Sequence, residues 1–215
     1  MGSLLLSGLW ETLYMTCAST AFAYLLGLPL GVLLVVTRRG HILANPALQS
    51  GLGVVVNVLR SVPFLILMIA VIPITRFVMG TTIGSGATVM PLVIAAFPYV
   101  ARTVESSLLE VDYGVIEAAQ AMGASRLQII RKVILPEATP GLVNGAAIAT
   151  TNILGYSAMA GAIGGGGLGA LAINYGYYRY KTDVLLAAIA VLVLLVQCVQ
   201  HLGTWVACLV DHRLK

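Results

Sequence analysis

The chain has 215 residues, 59% of them hydrophobic and only 9% charged, with a mean hydropathy of +0.97. Soluble domains carry about 25% charged residues, so this composition excludes a soluble globular protein and describes an integral membrane protein whose apolar material runs end to end as a single domain. The net charge of +4 is then no sign of a nucleic-acid partner. Basic residues in such a chain report which side of the bilayer each loop occupies.

In chain order, the N-terminal MGSLLLSGLWETLYMT has no basic region ahead of its apolar residues and no A-x-A-like site, so no cleaved signal peptide is read there. A bilayer needs about 20 helical residues per crossing, and stretches of that length run roughly over 12–37, 53–75, 88–109, 141–163 and 184–210. Five spans put the termini on opposite sides. If the charged segment between the third and fourth spans is cytoplasmic, nine basic residues (Arg38, Arg39, Arg60, Arg102, Arg126, Arg131, Lys132, Arg213 and Lys215) fall at or near cytoplasmic ends. Three (Arg76, Arg179 and Lys181) fall outside. The positive-inside rule therefore gives N-out and C-in.

The charged segment, 112–136, contains EAAQAMGASRLQIIRKVILP. As a sixth span it would bury Arg126, Arg131 and Lys132 at roughly 8–10 kcal/mol in total, so it stays in water or at the interface. It is built as two short helices: Asp112 can cap the first, Gly123 can end it, Ser125 with Gln128 makes a capping box for the second, and Pro136 is expected to stop it. Ile116, Ala119 and Met122 fall on one face of the first half, and Leu127, Ile130 and Ile134 on one face of the second. On periodicity alone this is either an interfacial helix pair lying on headgroups or a docking element for a cytoplasmic partner. The small residues Ala118, Ala119, Ala121, Gly123 and Ala124 favour docking, because they allow a second surface to approach the backbone.

Glu117-Ala118-Ala119, then three residues to Gly123, then nine residues to Val133-Ile134-Leu135-Pro136, resembles the EAA loop of the permease subunits of ABC importers. Val133 stands where isoleucine is usual. GLWETLYMT, NVLRSVPFLILM, IPITRFVMGTTIG and GYSAMAGAIGGGGLG extend the resemblance over nearly the whole chain, toward methionine-importer permeases. The resemblance implies an all-α, five-helix type I ABC importer permease in the bacterial cytoplasmic membrane, with its transmembrane domain at about 12–206. It implies a homodimer bound to two copies of a cytoplasmic ATPase and served by an extracytoplasmic substrate-binding protein. It implies that Glu117, Ala118, Ala119, Gly123, Leu135 and Pro136 belong to the element that seats on the ATPase, and that ATP and magnesium are bound by that partner with no cofactor in this chain.

The fourth span, GLVNGAAIATTNILGYSAMAGAIG, is the most polar. Asn144, Ile148, Thr151, Asn152, Gly155 and Met159 share one helical face, which suits either interhelical hydrogen bonds or the lining of a path. Together with the resemblance this selects Asn152, Tyr156, Ser157 and Met159 as path or gate residues, the flexible thioether of Met159 being suited to closing a small pore. The run from Gly164 to Gly169 formally matches a nucleotide-binding glycine pattern, but it follows a membrane helix instead of a strand, and is read as a compact turn or re-entrant scoop. GLPLG from Gly27 and GLVNG from Gly141 suit close helix pairing. Arg102 and Glu105 are spaced for a local ion pair.

Cys17, Cys198 and Cys208 are read as packing residues; Gln197, Gln200 and His201 as packing hydrogen bonds; and His41 and His212 as loop residues without a role. No nucleophile with a base and no metal-spaced cluster is found, so the chain is expected to be neither enzyme nor metalloprotein. A stand-alone ion-coupled carrier is the rival of another class. It would place an acidic residue near mid-membrane, whereas the acidic residues here fall at helix ends or in loops.

Overall fold

The computed structural model describes residues 2–210, and every regular element among them is helical. The first helix, α1, runs over Gly2–Val36, about ten residues ahead of the expected span. Glu11, the charge that marked the expected boundary, is taken up inside the fold: its Oε2 accepts the Gly167 N–H at 2.6 Å.

The stretch expected as one crossing at 53–75 is two helices, α2 (Pro46–Ser61) and α3 (Phe64–Met79), whose axes meet at 106°. The cause is Pro63, which disfavours helical backbone in the residue before it and leaves Val62 extended at φ −82°, ψ 124°. α2 starts cleanly because Pro46 needs no N–H in the first turn and Asn45 Oδ1 accepts the Leu48 N–H at 3.1 Å.

The central helix, α4 (Ser85–Leu109), packs along α1. The approach depends on two glycines of α1: a Cβ at Gly27 would lie 2.7 Å from Val100, and one at Gly31 would lie 2.6 Å from the Ala101 carbonyl oxygen. A short helix, α5 (Tyr113–Ala121), follows, and the chain then rises as α6 (Arg126–Ile129), a π-helical turn (Ile130–Ile134), α7 (Leu135–Glu137) and α8 (Thr139–Ala160). Gly145 of α8 lies against Thr103 of α4, so both small-x-x-x-small motifs pack on α4 as expected.

At the end of α8 the glycine run reverses the chain: Gly164, Gly166 and Gly167 have φ of +86°, +82° and +75°, a region open chiefly to glycine. The returning segment, α9 (Gly167–Leu171) with a π-helical continuation to Tyr177, lies backbone to backbone on α8, where a Cβ at Gly169 would collide with the Ala158 carbonyl. Glu11 and Thr12 of α1 accept its first two N–H groups, Gly167 and Leu168, and so hold this re-entrant hairpin in place. Finally α10 (Thr182–Val210) crosses α8 with Gly203 against Ala147. Four of these helices are long and apolar enough to cross a membrane, and the bent α2–α3 pair makes a fifth if it is counted as one broken crossing.

Arg102 and Glu105 pair at 2.5 Å, and Arg102 also donates to Asn57 Oδ1 (2.9 Å) and to the Gly53 carbonyl (3.2 Å). The expected local pair is therefore a staple between α4 and α2. Arg102→Met leaves the buried Glu105 carboxylate unpaired, and a loss of roughly 2–3 kcal/mol is expected in a thermal melt of the detergent-solubilised protein, somewhat below the value for a fully buried pair. Glu105→Gln in the same background should recover most of it.

Candidate functional site: a docking element joined to an open polar helix face

The 112–136 segment folds as two helices joined by a tight corner. Asp112 caps α5, its Oδ1 accepting the Gly114 N–H at 2.6 Å. Gly123, at φ +80°, ends it: the Ala124 N–H donates to the Ala119 carbonyl and the Gly123 N–H to the Gln120 carbonyl, the paired closure of a helix that finishes on a left-handed glycine. The backbone N–H of Ser125 donates to Gln128 Oε1 at 2.8 Å as α6 begins.

Three expectations fail here. Pro136 does not stop the second helix; the π-helical turn ahead of it, in which the Leu135 N–H donates to the Ile130 carbonyl, accommodates its ring and missing N–H, and the chain continues into α8 with Ala138 as the one non-helical residue. Met122 does not share the buried face of Ile116 and Ala119. It belongs to the corner and is 82% exposed. In the second half Ile129 and Ile134 are buried while Leu127 is exposed, because the π turn shifts the register that a plain helix would have.

Of the residues implicated in docking, Glu117, Ala118, Gly123 and Pro136 are exposed, Leu135 is half-buried and Ala119 faces inward. Exposed Met122 and Leu127 join them on the surface. The inner side is continuous with the membrane part: Ile116, Ala119, Ile129 and Ile134 pack in one apolar cluster with Val35, Val104 and Leu108, and with Ala149 and Ile153 of α8.

Along α8, Asn144, Ile148, Gly155 and Met159 form an exposed line with Thr151 and Asn152 half-buried beside it, and Gly155 has no neighbour within 4 Å of where a Cβ would stand. Ser157 is not with them. It is buried, and its hydroxyl donates to the Leu154 carbonyl of its own helix at 2.8 Å. Tyr156 turns toward the α2–α3 corner and stacks on Phe64, with ring centroids 4.6 Å apart and planes 9° from parallel. Phe64 and the adjoining Arg60 were not picked out from the sequence. Arg60, exposed in the last turn of α2, stands over the ring of Tyr99, part-way along α4.

The loop between α1 and α2 touches the docking element. The Tyr113 hydroxyl donates to the Gly40 carbonyl at 2.8 Å, and the His41 ring meets Tyr113 edge-on. Burial, and secondarily the Arg38 guanidinium, hold the His41 pKa below its usual value. The folded chain thus resists a proton that the unfolded chain accepts near pH 6.5, so this contact is expected to be fully stable above that pH and to weaken as pH falls below it. Melting the solubilised protein across pH 5–8 should show that loss, and His41→Asn should flatten it.

The 112–136 corner thus presents an exposed surface, and an open polar face runs along α8. The chain matches the family described as "binding-protein-dependent transport system inner membrane component" over residues 27–215, and it belongs to that family. Membership makes it an inner-membrane transporter subunit and not an enzyme. It is 50% identical over 210 residues to the probable D-methionine transport system permease protein MetI of Vibrio cholerae, covering 98% of this chain and 93% of that protein. To the D-methionine permease MetI of Escherichia coli K12 it is 53% identical over 158 residues, 74% of this chain and 73% of that one. Among solved structures it superposes on a chain of the inward-facing MetNI methionine ABC transporter with a TM-score of 0.96 at 49% identity, covering 97% of both chains. An amino acid ABC transporter at 22% identity shares the fold, with a TM-score of 0.73.

Proposed function

We propose that the chain is the membrane-spanning permease of an ATP-driven methionine importer. It works as a homodimer that seats two cytoplasmic ATPase subunits and receives substrate from an extracytoplasmic binding protein. The observation that carries this reading is the shared core: the inward faces of α5 and α6 pack in the same cluster as α8, so a push on the docking corner reaches the exposed polar line of α8. Glu117, Ala118, Ala119, Gly123, Leu135 and Pro136 form the docking element, with the N-terminus outside and the transmembrane domain at about 12–206. Asn152, Tyr156 and Met159 line or gate the path between the two copies. Ser157, buried against its own helix, supports that wall without facing the path. ATP and magnesium belong to the partner ATPase, whose nucleotide state shifts the permease between inward- and outward-facing populations. The methionine relatives, at half identity over nearly the full length, support this substrate over another small amino acid or an organic ion.

The test is to co-express the chain with the ATPase of its own source, reconstitute the complex in vesicles, and add methionine-loaded binding protein. ATP turnover and methionine uptake should rise together. Uptake by vesicles holding this chain alone, driven by an ion gradient, would replace the importer with a carrier.

A further inference from the structure

The α2–α3 corner encloses an open cleft of about 200 Å³, bordered by Arg60, Val62, Phe64, Leu67, Tyr99 and Tyr156. It reaches Tyr99, which lies ten residues before the end of α4 at Leu109, about 15 Å along the helix axis. Arg60 stands over that ring, 5.9 Å from its centroid. Among the described residues the ion pair recorded is that of Arg102 with Glu105, and the Arg60 guanidinium meets no carboxylate. Arg60 is exposed on the open side of this cleft, and an ionisable side chain within a span is ordinarily kept for a pathway. Arg38, Arg39, Arg126, Arg131 and Lys132 need no such account, because they lie at the end of the bundle, in or beside loops.

The chemistry of the lining is specific. A guanidinium offers parallel N–H donors whose fork matches a carboxylate. Beside it the Phe64–Tyr156 stack and the Tyr99 ring supply flat, polarizable walls of the kind a thioether contacts favourably. The volume is below the about 300–1,000 Å³ of sites for drug-sized molecules and suits a ligand of amino-acid size.

We infer that this cleft is a transit site for an α-amino acid, in which Arg60 takes the α-carboxylate while Phe64, Tyr99 and Tyr156 hold the side chain. This deepens the importer reading and rests on it. The site is open on one side and is offset from the exposed line of α8 by the turn of Tyr156. The substrate therefore passes along the α2–α3 break, not only along α8. Charge at residue 60 is what the site requires, and the aromatic walls set which side chains pass.

The experiment uses the complete transporter, permease with its ATPase and binding protein, in vesicles supplied with ATP and radiolabelled methionine. Arg60→Gln should lower uptake at least ten-fold while the ATPase still copurifies. A packing role on Tyr99 is separated by Arg60→Cys in a chain whose Cys17, Cys198 and Cys208 are replaced by serine. Treatment with a cationic aminoethyl thiosulfonate should restore most of the uptake, and a neutral propyl thiosulfonate of similar size should not. Uptake by Arg60→Gln within two-fold of the wild type overturns the proposal. So does equal restoration by both reagents, and so does no restoration by the cationic one. A wild-type complex that moves no methionine would instead show, before any variant is made, that the importer reading has failed.

Discussion

Gly31→Val is expected to lower the melting temperature of the permease by roughly 10 °C. At this position a Cβ would lie 2.6 Å from the Ala101 carbonyl oxygen and 2.7 Å from Val104 Cβ. The first of these is backbone in the middle of α4 and cannot rotate away. Overpacking of a dense core costs typically 1–3 kcal/mol when side chains can yield, and more when a helix must move. Here α1 would have to separate from α4, and with it would go the cluster that joins the docking element to α8. A loss of about 3–4 kcal/mol would lower the melting temperature of a chain of this size by roughly 10 °C. The control is Gly51→Ala in α2, where nothing lies within 4 Å of the added Cβ. Replacing a helical glycine that has room around it should raise stability by about 0.5–1 kcal/mol. If both substitutions have the same effect on the melt, the close approach of α1 to α4 is not what holds the bundle.

Gly123→Val is expected to separate the permease from its ATPase while leaving the bundle intact. The position is held at φ +80°, which a β-branched residue adopts only with strain of about 1–2 kcal/mol. No atom lies within 4 Å of the new Cβ, so the strain is not compounded by a clash. It is relieved by opening the corner, where the Ala124 N–H to Ala119 and Gly123 N–H to Gln120 bonds are lost. Met122 and Leu127, exposed on either side of the corner, then no longer share one surface. ATPase copurification and methionine uptake should both fall by at least ten-fold, with the permease melting within about 4 °C of wild type. Normal copurification and transport in Gly123→Val would remove this corner from the docking role.

How much of this was legible in the sequence depends on which force decided each feature. Capping is local, so Asp112, Gly123 and the Ser125–Gln128 pair could be placed from residue type and spacing alone. The close pairings of Gly27, Gly31, Gly141 and Gly145 were also legible, because small residues four apart have few other uses in a span. The α2–α3 corner was missed although Pro63 is plain in the sequence. Hydropathy averages over a break that changes direction without changing polarity, and Pro29, Pro73, Pro91 and Pro98 show that proline alone does not decide the matter, since each lies within a helix. The meeting of Arg60 with Tyr99 depends on that corner and so is not visible in the local sequence. Ser157 joins Met159 in the sequence reading because the polar fourth span and the resemblance point to a path there, the thioether being suited to a gate. The structure separates them, since residues two apart in a helix point in different directions. Glu11 ended the first expected span because a lone carboxylate reads as a boundary, while its partner, the Gly167 N–H, lies 156 residues away.

The π-helical turn at Ile130–Ile134 has a consequence for how the two ends of the α6–α8 run are aimed. A π turn accommodates one extra residue, and one residue of α-helix corresponds to about 100° of rotation about the axis. Without it, Arg126 and Leu127 would point about a quarter-turn away from their present bearing relative to Asn152 and Met159. In the proposed assembly the insertion acts as a fixed angular offset: it sets which side of the run would meet the ATPase while the opposite end keeps its bearing at Asn152 and Met159. Shortening the turn by one residue would leave both surfaces intact and misdirect one against the other.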